Sequence, residues 1–173
     1  MTGARSLAAA HAEGVTTLLG GGDADMAVAA LDAGLGVIWR VSFQSGEPDG
    51  ARLARLAVAA PFAARLTAVM PFPEAEPYGL DTLRMFAFCR LALPEVPHLL
   101  ADVTTLGPRL AQMAFGFGAD ELFAPIVPER ALRLGDNANN PALTRKEAAT
   151  LLRGAGLIPH ERLGDGSSEE VTT

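Results

Sequence analysis

Short runs rich in branched and aromatic apolar residues alternate along the chain with longer segments rich in alanine and leucine. Each short run is typical of a buried β-strand, because branched side chains pack well on a pleated surface. The clearest run contains Val37, Ile38, Val41 and Phe43. The pattern predicts strands at 14–19, 35–43, 64–72, 98–104 and 119–126, with a short final strand at 157–163.

The segments between these runs carry apolar residues at helical spacing and signals for helix ends. Asp23 or Asp25 can cap the first helix, since a carboxylate accepts the free N–H groups of a first turn, and Gly34 suits its end. Thr144 and Glu147 form a capping box, in which each side chain accepts an N–H at the opposite end of the turn. Helices are predicted at about 23–33, 48–60, 80–93, 107–116 and 144–154.

This strand–helix alternation predicts an α/β fold with right-handed crossovers and a parallel sheet. The pattern fits either a doubly wound sheet or an open segment of a (β/α) barrel. We divide the chain into an N-terminal arm at 1–13, one α/β domain at 14–163 and a polar tail at 164–173 that is expected to be disordered.

Composition narrows the class of protein. The chain has 173 residues, a formal net charge of −6, 49% apolar residues and a single cysteine, which is typical of a one-domain globular protein. The acidic balance argues against nucleic-acid binding, and one cysteine excludes an intrachain disulfide. No targeting or membrane segment stands out, so a cytoplasmic protein is the expectation.

Polar residues follow the predicted strands, at the sheet edge where α/β proteins bind ligands. The turn at 20–23 is Gly-Gly-Gly-Asp, and its N–H groups could hold an anion, although a tight turn and a helix cap explain the same residues. Glu74 and Glu76 lie in a proline-rich loop, where a solvated loop is the simpler interpretation. Arg40 lies inside a predicted parallel strand, where an arginine needs a partner or an exposed edge.

Other titratable residues form no recognisable catalytic or metal-binding pattern. No histidine and carboxylate spacing predicts a metal site, and no nucleophile is paired with a base. Cys89 lies in the middle of a predicted helix among apolar residues, which favours a buried small apolar residue over a nucleophile.

A set of longer segments is more specific than these motifs. They are Met-Pro-Phe-Pro-Glu at 70–74, Gly-Leu-Asp-Thr-Leu-Arg at 79–84, Ala-Leu-Pro-Glu-Val-Pro-His at 92–98, Leu-Gly-Pro-Arg-Leu-Ala-Gln at 106–112, Phe-Gly-Ala-Asp at 117–120, Leu-Thr-Arg-Lys-Glu at 143–147 and Ala-Gly-Leu-Ile-Pro-His-Glu-Arg at 155–162. In this order they resemble the C-terminal part of the radical S-adenosylmethionine enzymes of the futalosine route to menaquinone. Those enzymes are aminofutalosine synthase and dehypoxanthine futalosine cyclase, together with the related deazaflavin-cofactor synthase. The resemblance extends over about 14–163 and is strongest from residue 70 onward.

The resemblance also implies chemistry for which this chain lacks the residues. The family holds its iron–sulfur cluster on the three cysteines of a C-x3-C-x2-C motif, whereas this chain has one. The family's Gly-Gly-Gly-Ala-Glu turn reads Gly-Gly-Gly-Asp-Ala at 20–24, and its Gly-His-x-Glu reads Gln-Ser-Gly-Glu at 44–47. The candidate ligand-binding residues are Gly20, Gly21, Gly22, Asp23, Arg40, Gln44, Glu47, Glu74, Glu76 and Asp120.

The resemblance therefore implies a partial (β/α) TIM-type barrel of about five to six βα units that lacks its first strands. Such a fold exposes a strand edge and an apolar inner face, so we expect a homo-oligomer or a partner protein that completes the barrel. The first hypothesis is a non-catalytic subunit with no cofactor and no metal. The alternatives are a protein that binds a nucleoside or S-adenosylmethionine without a cluster, and one half of a split radical enzyme.

Overall fold

The fold alternates strands and helices in the order that the sequence predicts. The computed structural model describes residues 17–76, 79–128, 142–162 and 167–172. The strands are β1 (Thr17–Gly20), β2 (Gly36–Phe43), β3 (Ala68–Pro73), β4 (His98–Asp102), β5 (Glu121–Phe123), β6 (His160–Arg162) and β7 (Ser168–Glu170). The helices are α1 (Ala24–Asp32), α2 (Asp49–Ala57), α3 (Gly79–Ala92), α4 (Val103–Ala114) and α5 (Arg145–Gly154), with 3-10 turns at Ala60–Arg65 and Phe115–Phe117. The predicted arm at 1–13 lies outside the described residues.

β1 to β5 form one parallel sheet in which each strand pairs with the next strand along the chain. A doubly wound sheet reverses its strand order at a switch point, and β1 to β5 contain no such reversal. Because right-handed crossovers that step in one direction place their helices on one side, the intervening helices pack on the same face. The sheet is therefore singly wound, which decides between the two sequence alternatives and is consistent with a partial TIM-type barrel.

The helix-covered face of the sheet holds the main core. On β2, every second side chain is buried: Val37, Trp39, Val41 and Phe43 are all at most 3% exposed. These side chains join the large core that also contains the helix residues. The Trp39 ring packs edge-on against Phe62, with ring centroids 5.4 Å apart. Burial of this alternating row fixes the register of β2, since a one-residue slip would expose it.

The opposite face of the sheet, which we call the inner face, has a separate and smaller cluster. Ala68, Met70 and Leu100 are buried there, and Ile38 packs against them. These residues come from β2, β3 and β4, at positions that alternate with those of the main core. No helix among the described residues contributes to this cluster. The inner face thus has an apolar centre that is built from the strands alone.

Both predicted helix caps are confirmed. The Asp23 side chain accepts a hydrogen bond from the Met26 N–H at 2.9 Å, and Thr144 and Glu147 form the reciprocal capping box. Gly34, just beyond α1, has a positive φ of 83°, a conformation that glycine adopts without strain. These local signals place the ends of α1 and the start of α5.

Two boundaries differ from the prediction because of local turn chemistry. The second helix ends at Ala57, and a 3-10 turn over Ala60–Arg65 occupies the stretch where the third strand was expected to begin. Pro61 near the start of that turn has no N–H with which to continue an α-helix. β3 accordingly begins at Ala68 rather than at residue 64.

α4 begins four residues before the predicted start at 107. The Asp102 carboxylate caps it by accepting the Thr104 N–H at 2.8 Å and the hydroxyls of Thr104 and Thr105. Gly107, with φ of 72°, then kinks the helix before Pro108. The glycine and proline therefore mark a bend inside the helix and not its first turn.

The C-terminal residues form a hairpin apart from the main sheet. β6 pairs with β7 in antiparallel fashion, so the predicted final strand does not extend the parallel sheet. Ser168–Glu170 lies in the predicted disordered tail and is a strand in the structure. Val171 is 7% exposed, and its N–H donates to the Pro159 carbonyl. The burial of this one apolar side chain explains why a polar segment is ordered.

Candidate functional site

The carboxyl ends of β1, β2 and β3 gather most of the predicted site residues. Because parallel strands all end at the same edge, the loops that start at Gly20, Gln44 and Glu74 follow neighbouring strands there. Arg40 lies within β2, before its carboxyl end, and Asp120 lies elsewhere in the fold. The structure therefore brings together the residues of three loops, as the sequence predicts.

The glycine turn after β1 packs directly against the backbone of β2. A Cβ atom on Gly21 would collide with the carbonyl oxygen of Arg40, whereas a Cβ on Gly20 would meet nothing within 4 Å. Gly22 has a φ of 86°, which favours glycine. The turn needs glycine at its second and third positions for these two separate reasons.

A polar pair joins the loops after β2 and β3. The Gln44 Nε2 donates to Glu74 Oε2 at 3.0 Å, and the Glu74 N–H donates to the Phe43 carbonyl at 3.0 Å. Both side chains are exposed, as is Glu76. The pair places a carboxylate and an amide next to the carboxyl ends of β2 and β3. There they could contact a ligand with hydroxyl or amino groups.

Glu47 belongs to a partly buried ion-pair cluster and is not part of the Gln44–Glu74 pair. Its carboxylate lies 3.0 Å from Arg55 Nη2 and 3.8 Å from Arg52 Nε. Arg52 is 1% exposed and lies 2.6 Å from Asp81 Oδ2 through its Nη2. We call Glu47, Arg52, Arg55 and Asp81 the helix clip, because it ties α2 and the loop before it to α3.

Hydrogen bonding within the helix clip changes the acidity of Asp81. The Arg52 guanidinium holds the pKa of the Asp81 carboxyl below its ordinary value, and the Gly46 N–H, which donates at 3.2 Å, acts in the same direction. Partial burial opposes this shift. The charged form of Asp81 therefore stabilises the loop that presents Gln44.

Asp120 lies at the amino ends of the strands, whereas the loop candidates lie at the carboxyl ends. It directly precedes β5, so it sits at the amino ends of β4 and β5. Its carboxylate accepts the Leu99 N–H at 2.6 Å and lies 3.3 Å from both His98 Nδ1 and Arg90 Nη2. The structure thus separates Asp120 from the loops with which it was grouped, and gives it a role in joining β4 to β5.

Arg40 projects from β2 onto the inner face. Its neighbours on the same strand, Trp39 and Val41, are buried on the helix side, so alternation directs Arg40 the other way. The Arg40 guanidinium carbon lies 4.5 Å from the centroid of the Phe72 ring. The inner face therefore combines an exposed cation with an aromatic ring on the adjacent strand.

The iron–sulfur cluster that the resemblance implies does not fit the donors of this chain. Cys89 lies in α3 and is 2% exposed, and burial raises the pKa of its thiol to about 12. A cluster needs several thiolate ligands. Within the described ranges, no three His, Cys, Asp or Glu side chains come together as a metal site.

Sequence reasoning missed the roles of Phe72, of the pair formed by Arg52 and Asp81, and of the cap at Asp102. Phe72 enters the sequence analysis only as part of a strand and of the segment at 70–74, because its contact with Arg40 depends on how β2 and β3 are aligned. Arg52 and Asp81 are far apart along the chain. The signal that could have found Asp102 is its sequence, Asp-Val-Thr-Thr, which places two hydroxyls after a capping carboxylate.

Half of the chain is similar to curated enzymes. It is 36% identical over 84 residues to aminodeoxyfutalosine synthase of Thermus thermophilus, a match that covers 49% of this chain and 23% of that enzyme. It is 33% identical over 85 residues to 5-amino-6-(D-ribitylamino)uracil--L-tyrosine 4-hydroxyphenyl transferase 1 of Methanosarcina barkeri, again over 49% of this chain and 23% of the relative. The aminodeoxyfutalosine synthase of Streptomyces coelicolor is 34% identical over 85 residues, or 22% of its length.

These similarities confirm the resemblance to the enzymes of the futalosine route and to the related deazaflavin-cofactor synthase. They cover about half of the chain, whereas the resemblance was expected over 14–163. The matched segment spans less than a quarter of each of these three relatives. No family model matches the chain. Across the described residues, no helix is both long and apolar enough to cross a membrane.

Proposed function

We propose that this chain is a non-catalytic partial barrel of the futalosine-enzyme type that works as a subunit or segment of a larger assembly. Its inner face closes against another polypeptide, either a second copy or a protein that carries further βα units. The names of the relatives favour a link to menaquinone biosynthesis, the pathway to which the resemblance assigns them.

The observation that carries this proposal is the exposed apolar margin of the inner face, on either side of its buried centre of Ala68, Met70 and Leu100. Leu19 on β1 is 54% exposed and Phe123 on β5 is 43% exposed, and both alternate with residues that pack on the helix side. A closed TIM-type barrel needs more strands than these five. Among the described residues, β1 pairs only with β2, so one backbone edge is free to pair with an added strand.

Association of the purified chain is the first test. Sedimentation velocity over a range of micromolar concentrations is expected to show an oligomer, or a complex when the chain is isolated from cells that naturally produce it. Covering the inner face would remove apolar side chains from water, which favours association. A monomer at every concentration, with no stoichiometric partner, would contradict the proposal.

A second candidate function is the binding of a nucleoside or of S-adenosylmethionine without radical chemistry. The gathering of the glycine turn, Gln44 and Glu74 at one sheet edge favours it, because the ligands of α/β proteins bind at that edge. Calorimetric titration with S-adenosylmethionine, adenosine and futalosine analogues tests this function. Flat titrations with all three would exclude it.

A split enzyme is a variant of the first proposal, with a partner that supplies the catalytic centre. The chain has one cysteine, so the cluster ligands would have to come from the partner. A neighbouring reading frame that encodes early barrel strands with a C-x3-C-x2-C motif would support this variant. Mixing that protein with this chain should then produce a stoichiometric complex, and failure to form one would reject the variant.

A further inference from the structure

An apolar groove lies between β1 and α1, at the end of the sheet that β1 forms. Its volume is about 190 Å³, and Leu18, Leu19, Met26 and Trp39 are among the residues that line it. Leu19 is 54% exposed and Met26 is 45% exposed. Among the described residues β1 pairs only with β2, so backbone hydrogen-bonding groups of β1 are open along the same edge. We call these four side chains, together with the free edge of β1, the edge groove.

The α1 helix beside the edge groove is apolar on almost every side. Between Asp25 and Asp32 it carries only methionine, alanine, valine and leucine, yet Ala27 and Ala30 are its only buried residues. A helix that is apolar all round is typical of a position covered on more than one side. The composition of α1 therefore indicates that another polypeptide segment packs beside it.

The exposed charges at the start of α1 are negative and unpaired. Asp23 and Asp25 are exposed, and neither forms an ion pair with any described residue. Asp32 at the other end pairs with Arg65, and α1 itself contains no basic residue. This acidic margin favours a partner that carries basic side chains, because interfaces place opposite charges together.

A second copy of this chain is a poor match for the edge groove. Two copies joined through β1 by a twofold axis would pair their β1 strands in antiparallel fashion, with the same side chains on both sides of the interface. Both α1 helices would then lie on one face of the joined sheet and run in opposite directions. The acidic ends of one helix would approach those of the other, and like charges brought together oppose association.

We infer that the edge groove binds an extended segment of a different polypeptide, which pairs with β1, inserts one large apolar side chain and presents basic side chains to Asp23 and Asp25. A free strand edge adds a strand through backbone hydrogen bonds, and a pocket beside it selects the side chain. The groove volume of about 190 Å³ is below the roughly 300 Å³ at which pockets for drug-sized ligands begin, which favours a single side chain. This inference rests on the proposed function, because it names the partner in the assembly.

A fluorescently labelled heptapeptide, Lys-Thr-Val-Phe-Val-Thr-Lys, tests the inference on the full chain by fluorescence anisotropy. The peptide reads the same in both directions, so it suits a parallel or an antiparallel added strand. One control peptide replaces the phenylalanine by alanine, and the other replaces both lysines by glutamate. We expect saturable binding that is about tenfold or more weaker in each control, because apolar burial or charge attraction is lost. No saturable binding, or equal binding of either control, would overturn the inference.

Substitutions in the chain locate the binding at the edge groove. Met26→Asn removes part of the apolar lining and should weaken the heptapeptide by about fivefold or more. Met113→Asn on α4, where the parent methionine is 56% exposed, is the matched control and should bind like the parent chain. Asp25→Asn should also weaken binding, whereas Asp49→Asn, which removes the same charge from α2, should not. A loss in either control that equals the loss in its counterpart would contradict the assignment.

Sedimentation velocity separates this inference from the proposed function. Association of the chain without binding of the heptapeptide would overturn the inference and leave the proposed assembly standing. Self-association that Met26→Asn abolishes would place a second copy in the edge groove, which also overturns the inference. We expect any self-association of the parent chain to persist in Met26→Asn.

Discussion

Gly20, the last residue of β1, and Gly21, which follows it, differ sharply in the substitutions that they tolerate. Gly21→Ala places a Cβ against the Arg40 carbonyl oxygen, so either β1 or the turn must move. We expect the free energy of unfolding to fall by about 1–3 kcal/mol, the usual cost of overpacking. Urea denaturation followed by circular dichroism measures this change.

Gly20→Ala is the matched control, because its Cβ would meet no atom within 4 Å. Its unfolding free energy should stay within about 0.5 kcal/mol of the parent value. Equal losses in the two variants would show that the turn does not pack against β2 as described.

The helix clip predicts a pH dependence of stability. The pKa of Asp81 lies below its ordinary value of 3.8, chiefly because of its hydrogen bond to Arg52. The clip therefore stabilises the fold above about pH 4, and this contribution is lost as the pH falls through the lower folded-state value. Asp81→Asn should be less stable than the parent chain at pH 7, and the difference should shrink in acid.

Asp49→Asn provides the comparison for this prediction. Asp49 pairs with Arg84, and both side chains are at least half exposed, so this pair should contribute little. Thermal unfolding at several pH values measures both variants. A larger effect at Asp49 than at Asp81 would contradict the importance of the helix clip.

The candidate site was predictable at the residue scale only where local chemistry decides the structure. The cap at Asp23 depends on the four consecutive residues 23–26, and the sequence narrows it to Asp23 or Asp25. Glu47 and Asp120 resemble free carboxylates in the sequence, yet they meet Arg55 and His98, respectively. Pairing over such sequence separations depends on the packed arrangement, which single-residue patterns do not contain.

At the scale of elements, the capping box of α5 offers the clearest test. Thr144→Ala removes the hydroxyl that accepts the Glu147 N–H at 3.1 Å, and should lower the unfolding free energy by about 1 kcal/mol. Chemical denaturation measures this loss.

Thr150→Ala is the control within the same helix. The Thr150 hydroxyl donates to the Lys146 carbonyl, on an exposed part of the helix, and alanine has the higher helix propensity. This variant should be as stable as the parent or slightly more so. A greater loss at position 150 than at 144 would argue against the cap.

The identity and order of elements were predictable because the hydrophobic periods are clear, whereas several boundaries were not. β3 starts late because the turn at Ala60–Arg65 intervenes, and α4 starts early because Asp102 caps it. In both cases short-range turn chemistry overrides the apolar pattern. The hairpin of β6 and β7 depends on contacts of Val171, which the spacing of apolar residues along the chain does not predict.

At the scale of the whole molecule, strand order was the property that the sequence left open. Both a doubly wound sheet and a barrel segment fit the alternation of strands and helices, and only the pairing of β1 through β5 separates them. Among the residues that the structure describes, that order places the helices on one face and leaves the inner face without a helical layer. The function proposed for the molecule therefore depends on what covers this face.

The measurement that tests this most directly is thiol labelling of a cysteine placed on the inner face. Cys89 is 2% exposed, so an introduced cysteine would supply nearly all of the reactive thiol. Leu19→Cys places one on the inner face, and Leu91→Cys on α3, where the parent leucine is 80% exposed, provides the control. We predict that in the assembled protein Leu19→Cys reacts with a maleimide much more slowly than Leu91→Cys, and that dilution below the association range removes the difference. Equal reactivity at all concentrations, in the isolated chain and in extracts of cells that naturally produce it, would contradict the account.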